Sequence, residues 1–122
     1  MKKILFIEDE SDMLAVMEPR LERAGFKMIS APNGIQGIRA AIDEKPDLIL
    51  LDILMPQMDG YETCERLKKD PQTKDIPVII VTAIESKSLA DNCKFVGADD
   101  FIHKPYDSEE LIGKINKLLG DK

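Results

Sequence analysis

No apolar run in the sequence approaches the ~20 residues that a membrane-spanning helix needs. No cluster of Lys and Arg interrupts an acidic balance, a formal net charge of −6 with pI near 4.8. Direct binding to nucleic acid or to an anionic membrane is therefore not expected. Cysteine is scarce. Cys64 and Cys93 are far apart in sequence, form no CxxC pair and have no metal-ligand spacing, so they read as packed or half-exposed thiols of a reducing cytosol. The basic start "MKKILFIEDE" leads into an apolar run of only Ile4 to Ile7 that ends in acids, too short for a signal peptide. The expected location is cytoplasmic.

What is present is an ordinary globular composition. The 122 residues are 43% hydrophobic and 33% charged, enough to bury a core without disulfides or a structural metal. Short apolar runs alternate with helix-period stretches. Strands are expected at 3–7 (KILFI), 27–30 (KMIS), 47–51 (DLILL), 78–82 (VIIVT) and 99–103 (DDFIH). The first helix opens at Ser11, with Met13, Leu14, Met17, Leu21 and Ala24 on one face, a kink at Pro19 and an end at Gly25. The second follows Asn33-Gly34, with Ile35, Ile38, Ala41 and Ile42 inward, and ends at Pro46. The third covers 59–69, with Tyr61, Cys64 and Leu67 inward. The fourth covers about 86–96. The last starts at Asp107–Glu110, with Leu111, Ile112, Ile115, Leu118 and Leu119 inward. Strands apolar on both faces belong to a parallel sheet with helices on each side. The expected fold is an α/β doubly wound sheet in a single domain over 1–122.

In such a sheet the ligand site lies beyond the carboxyl ends of the strands. Glu8, Asp9 and Glu10 follow the first strand, Asp52 follows the third, Thr82 ends the fourth before the small Ala83, and His103, Lys104 and Pro105 follow the fifth. If the strand order is 2-1-3-4-5, Asp9 and Asp52 converge with Glu8. This like-charged cluster is costly unless a cation fills it. Oxygen ligands suit a hard ion such as Mg²⁺. A carboxylate beside Mg²⁺ can attack phosphorus and form an acyl phosphate, while Lys104 shares the charge and Thr82 donates a hydrogen bond. Each residue alone has an ordinary reading as cap, turn or surface. The set at successive strand ends is specific.

These residues resemble the receiver domain of response regulators. "ILFIEDE" is similar to that family's first strand and acidic pair, and "LLDILMPQMDG" to its phosphoacceptor segment. "VIIVTA" is similar to its Thr-Ala strand, and "GADDFIHKPY" to its Lys-Pro signature. The resemblance implies a flavodoxin-like (βα)5 sheet of order 2-1-3-4-5 and a two-component signalling switch. Asp52 would accept a phosphoryl group from a histidine-kinase or phosphotransfer-protein phosphohistidine. Glu8, Asp9, Asp52 and the Leu54 backbone carbonyl would hold Mg²⁺ or Mn²⁺. Lys104, Thr82 and the Ala83 backbone would stabilise the phosphoryl group, and Thr82 and Phe101 would act as the switch. The output surface would be about 86–119, meeting a downstream effector or the chain's own output domain. The protein would be a monomer, with dimerisation through this face on phosphorylation as the alternative. Two arrangements fit the end of the chain: a stand-alone regulator, or a receiver excised from a longer protein.

Other functions fit less well. An Asp-nucleophile phosphatase would resemble Asp-x-Asp, whereas Leu54 stands at the second position. A nucleotide carrier needs a Gly-rich loop after the first strand, where "EDESD" is acidic. A scaffold-only receiver has no support, since every chemistry-bearing residue is present. His103 reads as structural or surface, Met13, Met17, Met55 and Met58 as packing, Asp59-Gly60 as turn and helix cap, and Asp99-Asp100 as a turn. Lys68, Lys69, Lys74, Lys114 and Lys117 read as solvated.

Overall fold

The computed structural model describes residues 1–55 and 58–120. Pro56 and Gln57, within the segment LLDILMPQMDG, lie outside the described residues. Five strands and five helices alternate: β1 (Lys2–Ile7), α1 (Ser11–Arg23), β2 (Phe26–Ala31), α2 (Gly34–Glu44), β3 (Leu48–Asp52), α3 (Gly60–Lys69), β4 (Val78–Thr82), α4 (Leu89–Phe95), β5 (Asp100–His103) and α5 (Ser108–Leu119). The sheet is parallel throughout, in the order β2-β1-β3-β4-β5, as the resemblance implied.

Alternation along the strands builds two cores. Leu5, Ile7, Ile49, Leu51, Val78 and Ile80 share one face with residues of α2, α3 and α4. Ile4, Phe6, Leu48, Leu50, Ile79 and Val81 share the other with Met17 and Leu21 of α1 and Leu111 and Ile115 of α5. The three central strands are thus buried on both faces, the reason their sequences are unbroken apolar runs. Their polar exits, Glu8, Asp52 and Thr82, are forced together at one end of the sheet by the register.

Side-chain oxygens cap three helices. Asn33 accepts from Gln36 N, Asp59 from Glu62 N and Asp107 from Glu109 N. Lys45, at φ 49°, closes α2 just before Pro46, where a further helical residue is disfavoured.

Several expectations need correction. Helix α1 ends at Arg23, so Ala24, expected on its inward face, is exposed beyond its end. Ile35 is exposed, because Gly34 and Gly37 take the inward positions of α2. A Cβ on Gly37 would collide with Ile7, so only glycine lets α2 lie this close to β1. Helix α4 starts at Leu89 rather than near 86. Ser86 and Ser88 share a hydroxyl hydrogen bond of 2.9 Å and the Ser88 N–H donates to Ser86 Oγ, a local turn that competes with the helix. Lys68 is not a solvated surface residue. Its ammonium donates to the Ile76 carbonyl (2.8 Å) and to Asp99 Oδ2 (2.9 Å), while Asp99 Oδ2 accepts from Val78 N (2.8 Å). This triangle ties α3, the start of β4 and the turn into β5 together, far from the strand exits. Lys114 likewise pairs with Asp100.

Cys64 and Cys93 are both buried free thiols. Burial pushes Cys64 up to about 12 and Cys93 up to about 11, so both are protonated packing groups.

Candidate phosphoryl-transfer site

Three strand exits meet at one ammonium. Lys104, just past β5, places Nζ 3.2 Å from Glu8 Oε1 and 3.2 Å from Asp52 Oδ2. Its backbone N–H donates to the Thr82 carbonyl at 2.7 Å, which ties the β5 exit to the β4 exit. Glu8 extends the β1–β2 ladder by one hydrogen bond, to Ala31 O, and so follows its strand into the pocket. The Glu8 side chain is fully buried and that of Asp52 almost so.

The Asp52 carboxylate is held on both oxygens. Oδ1 accepts from Leu54 N at 3.2 Å, and Oδ2 accepts from Lys104. Thr82 is buried, and its Oγ accepts from Ile84 N at 2.9 Å, which leaves the hydroxyl proton to donate elsewhere. Ala83 and Leu54 stand exposed at the mouth.

The structure brings Glu8, Asp52, Lys104 and Thr82 to adjacent strand ends, as their positions in the sequence predicted. The close carboxylate cluster is Glu8, Glu10 and Asp52, with one oxygen from each within 4.8 Å of the others. Asp9 is exposed and is not in that group, whereas Glu10, to which the sequence analysis gave no role, is. No residue-type signal separates them: the chain bends at Asp9, between Ile7 and Ser11, and that turn decides which acid faces Asp52. Phe101 is half-buried and packs against the α2/α3/α4 core, its ring edge-to-face with His103 at 5.9 Å. His103 is exposed, in keeping with a surface role.

Glu8 and Asp52 share one ammonium, and the exposed Glu10 adds a third carboxylate nearby, so the pocket is net negative. Burial raises Glu8 to about 7, helped by its hydrogen bond and repulsion with Asp52 and opposed by Lys104. Lys104 loses by burial but gains more from Asp52 and Glu8, and is raised overall. The all-oxygen donor set and its surplus negative charge fit a hard divalent cation.

A pH dependence follows. Folded Glu8 keeps a proton that the unfolded chain releases nearer 4.5, so apo stability rises as pH falls from 8 through 7 towards 5. The gain at pH 6 over pH 8 is about 1 kcal/mol. Thermal melts in EDTA are expected to show a higher melting temperature at pH 6. Mg²⁺ favours ionised Glu8 and is expected to shrink that difference. A higher melting temperature at pH 8 in EDTA contradicts this reading of Glu8.

Comparison with known proteins agrees with this geometry. A sequence profile of the response regulator receiver domain matches residues 4–116. Protein PilH of Pseudomonas aeruginosa is 38% identical over 119 residues, which cover 98% of each chain. The DNA-binding dual master transcriptional regulator RpaA of Synechocystis is 38% identical over 98% of this chain but only 49% of its own length. The phosphate regulon regulatory protein PhoB of Pseudomonas aeruginosa is 39% identical over 97% of this chain and 52% of its own. The chain thus spans about half the length of several curated relatives it matches. Among solved structures, the receiver domain of sensor histidine kinase PA1611 from Pseudomonas aeruginosa, described with magnesium coordinated in its active-site cleft, superposes with TM-score 0.89 at 28% identity, covering 98% of each chain. The signal receiver domain of a Syntrophus aciditrophicus histidine kinase gives 0.91 at 35%, covering 98% of this chain and 91% of that one. The chain belongs to the response-regulator receiver family of two-component signalling.

Proposed function

We propose that Asp52 is the phosphoacceptor of a Mg²⁺-dependent switch, a domain that changes partners when modified and turns over no external substrate. The observation that carries this reading is the buried Asp52 carboxylate facing the Lys104 ammonium beside two further acids. An Asp52 oxygen attacks the phosphorus of a phosphohistidine. The P–O bond forms, the P–N bond breaks, and the imidazole leaves with the bonding pair. Lys104 neutralises charge on the transferring group, and the Thr82 hydroxyl and the Ala83 N–H donate to its oxygens. Mg²⁺, when bound, offsets the remaining phosphoryl charge. Glu8, Asp52 and the Leu54 carbonyl would hold it, with Glu10 and Asp9 as further carboxylates at the rim.

A donor helix would dock in the cleft of about 350 Å³ beside Lys104, lined by Met13, Val16, Met17, Ala83 and Tyr106. This largely apolar patch, which also includes Arg20 and Pro105, reaches Lys104, the partner of Asp52, and suits the face of a histidine kinase or phosphotransfer protein. Output would pass through Thr82 and Phe101 to α4, β5 and α5. Addition of about −1.5 to −2 charge at Asp52 draws the Thr82 hydroxyl away from Ile84 N and frees space for the Phe101 ring. The partner would be a separate effector or an output domain of a longer chain. Phosphorylation-induced pairing of two copies through the same face is the second arrangement to test.

Intact mass after incubation with acetyl phosphate tests the acceptor reading. One added phosphoryl group is expected with Mg²⁺, and none with EDTA. Absence of any addition under all conditions rules against it.

Leu54 and Ile84 flank the acceptor, two residues past Asp52 and Thr82. Neither side chain can orient an attacking water, and we infer that the two apolar groups keep water from phospho-Asp52. Leu54→Ala with Ile84→Ala is expected to shorten the lifetime of phospho-Asp52 several-fold, read by loss of the added mass after the donor is removed. An unchanged lifetime sinks this water-exclusion account.

A further inference from the structure

Gly60 opens α3, and direct contact with the phosphoacceptor strand sets its place. A Cβ built on Gly60 would lie 2.5 Å from the Asp52 carbonyl oxygen, 2.6 Å from Ile53 Cα and 3.0 Å from the Asp52 carbonyl carbon. All three are backbone atoms, which cannot rotate aside as a side-chain tip can. The Gly60 N–H donates to the Ile53 carbonyl at 2.9 Å, and Met55 N donates to the same carbonyl at 3.1 Å. One carbonyl therefore fixes both the loop leaving Asp52 and the start of α3. Within that loop, Leu54 N holds Asp52 Oδ1.

We propose that Gly60 is a positioning residue for phosphoryl transfer: its missing side chain seats α3 on the Asp52–Ile53 backbone and so aims the Asp52 carboxylate and the Leu54 carbonyl. The inference rests on Asp52 being the acceptor. Gly60 touches no reacting atom. Any side chain there drives α3 and the Asp52–Ile53 backbone apart by about half an ångström or more, because packed interiors have no slack to absorb it. Misplacement of a reacting group by about 1 Å can cost ~100-fold in rate.

Two other glycines serve as controls. A Cβ on Gly34 would collide with Thr63 Oγ1 and lie 3.3 Å from Met58 Sδ, side chains of the α2–α3 interface outside the site. A Cβ on Gly113, in α5, meets nothing within 4 Å.

The test compares Gly60→Ala, Gly34→Ala and Gly113→Ala with the wild type. Melting temperature, Mg²⁺ affinity by calorimetry and initial acetyl phosphate uptake at saturating Mg²⁺ are measured well below every melting temperature. Gly60→Ala is expected to slow uptake about tenfold or more and to weaken Mg²⁺ binding. Gly34→Ala is expected to lose melting temperature while its uptake stays within about twofold, and Gly113→Ala to keep wild-type uptake. A folded Gly60→Ala with wild-type uptake and Mg²⁺ affinity overturns the proposal, as does a loss in Gly34→Ala matching that in Gly60→Ala. Failure of the wild type to take a phosphoryl group sinks the acceptor reading and this one with it; normal wild-type loading with an unaffected Gly60→Ala sinks this one alone. If Gly60→Ala does not fold, amide NMR of the wild type decides. The Gly60 and Leu54 amide signals must shift together on Mg²⁺ addition, and an unmoved Gly60 signal overturns the proposal.

Discussion

Asp52→Asn is expected to abolish phosphoryl uptake and, without Mg²⁺, to stabilise the fold. The amide cannot form an acyl phosphate, so loss of uptake should be complete. The stability gain has a separate cause. Asp52 lies close to Glu8 and to the exposed Glu10, and among the described residues Lys104 is the one cation paired with Glu8 and Asp52. Asparagine keeps an oxygen to accept from Lys104 or Leu54 N and removes one buried charge from a crowded set. The expected gain is about 1 kcal/mol, a few degrees in melting temperature. Mg²⁺ should stabilise the wild type and have little effect on the variant. A melting temperature lowered by the substitution in EDTA contradicts the like-charge account.

Lys104→Met has the opposite sign. Methionine keeps the length and loses the only ammonium within salt-bridge distance of Glu8 and Asp52 among the described residues. Both carboxylates then stay buried without a counter-charge, and removal of one member of a buried ionic set costs about 3 kcal/mol or more. The loss should be largest at pH 8 in EDTA. It should shrink at pH 6, because Glu8, already raised to about 7, takes a proton more readily once Lys104 is gone. Acetyl phosphate uptake should fall about 100-fold, since the transferring group loses its fixed cation. Urea unfolding at pH 6 and pH 8, with and without Mg²⁺, checks the first part and intact mass over time checks the second. Equal destabilisation at both pH values would mean that Glu8 does not exchange a proton with this pocket.

The central strands were easy to find in the sequence because burial on both faces erases polar residues. "DLILL" and "VIIVT" could be little else, and the polar residues at their exits, Asp52 and Thr82, pointed to the pocket; the structure only shifts the third strand by one residue, to end on Asp52 itself. Asp52, Thr82 and Lys104 were legible for the same reason: each stands where an apolar run stops. The rim was harder. Between Ile7 and Ser11 the chain turns, and whether Asp9 or Glu10 faces Asp52 depends on backbone direction over a few residues, not on residue type. Helix α2 misled by composition, since Ile35 looks like core and Gly34 does not. Packing reversed them, because α2 can approach β1 and α3 only at its glycines. Lys68 was unreadable in sequence. Its partners Ile76 and Asp99 come from loops that only the folded sheet brings beside α3.

The central claim is that one phosphoryl group goes to Asp52 and nowhere else. Borohydride reduction after acetyl phosphate treatment with Mg²⁺, followed by peptide mass mapping, locates the acyl phosphate directly, because the modified aspartate is converted to homoserine. The account predicts homoserine at position 52 alone, absent when EDTA replaces Mg²⁺. Reduction at Asp9 or another carboxylate, or phosphate retained on His103 with position 52 unchanged, contradicts it.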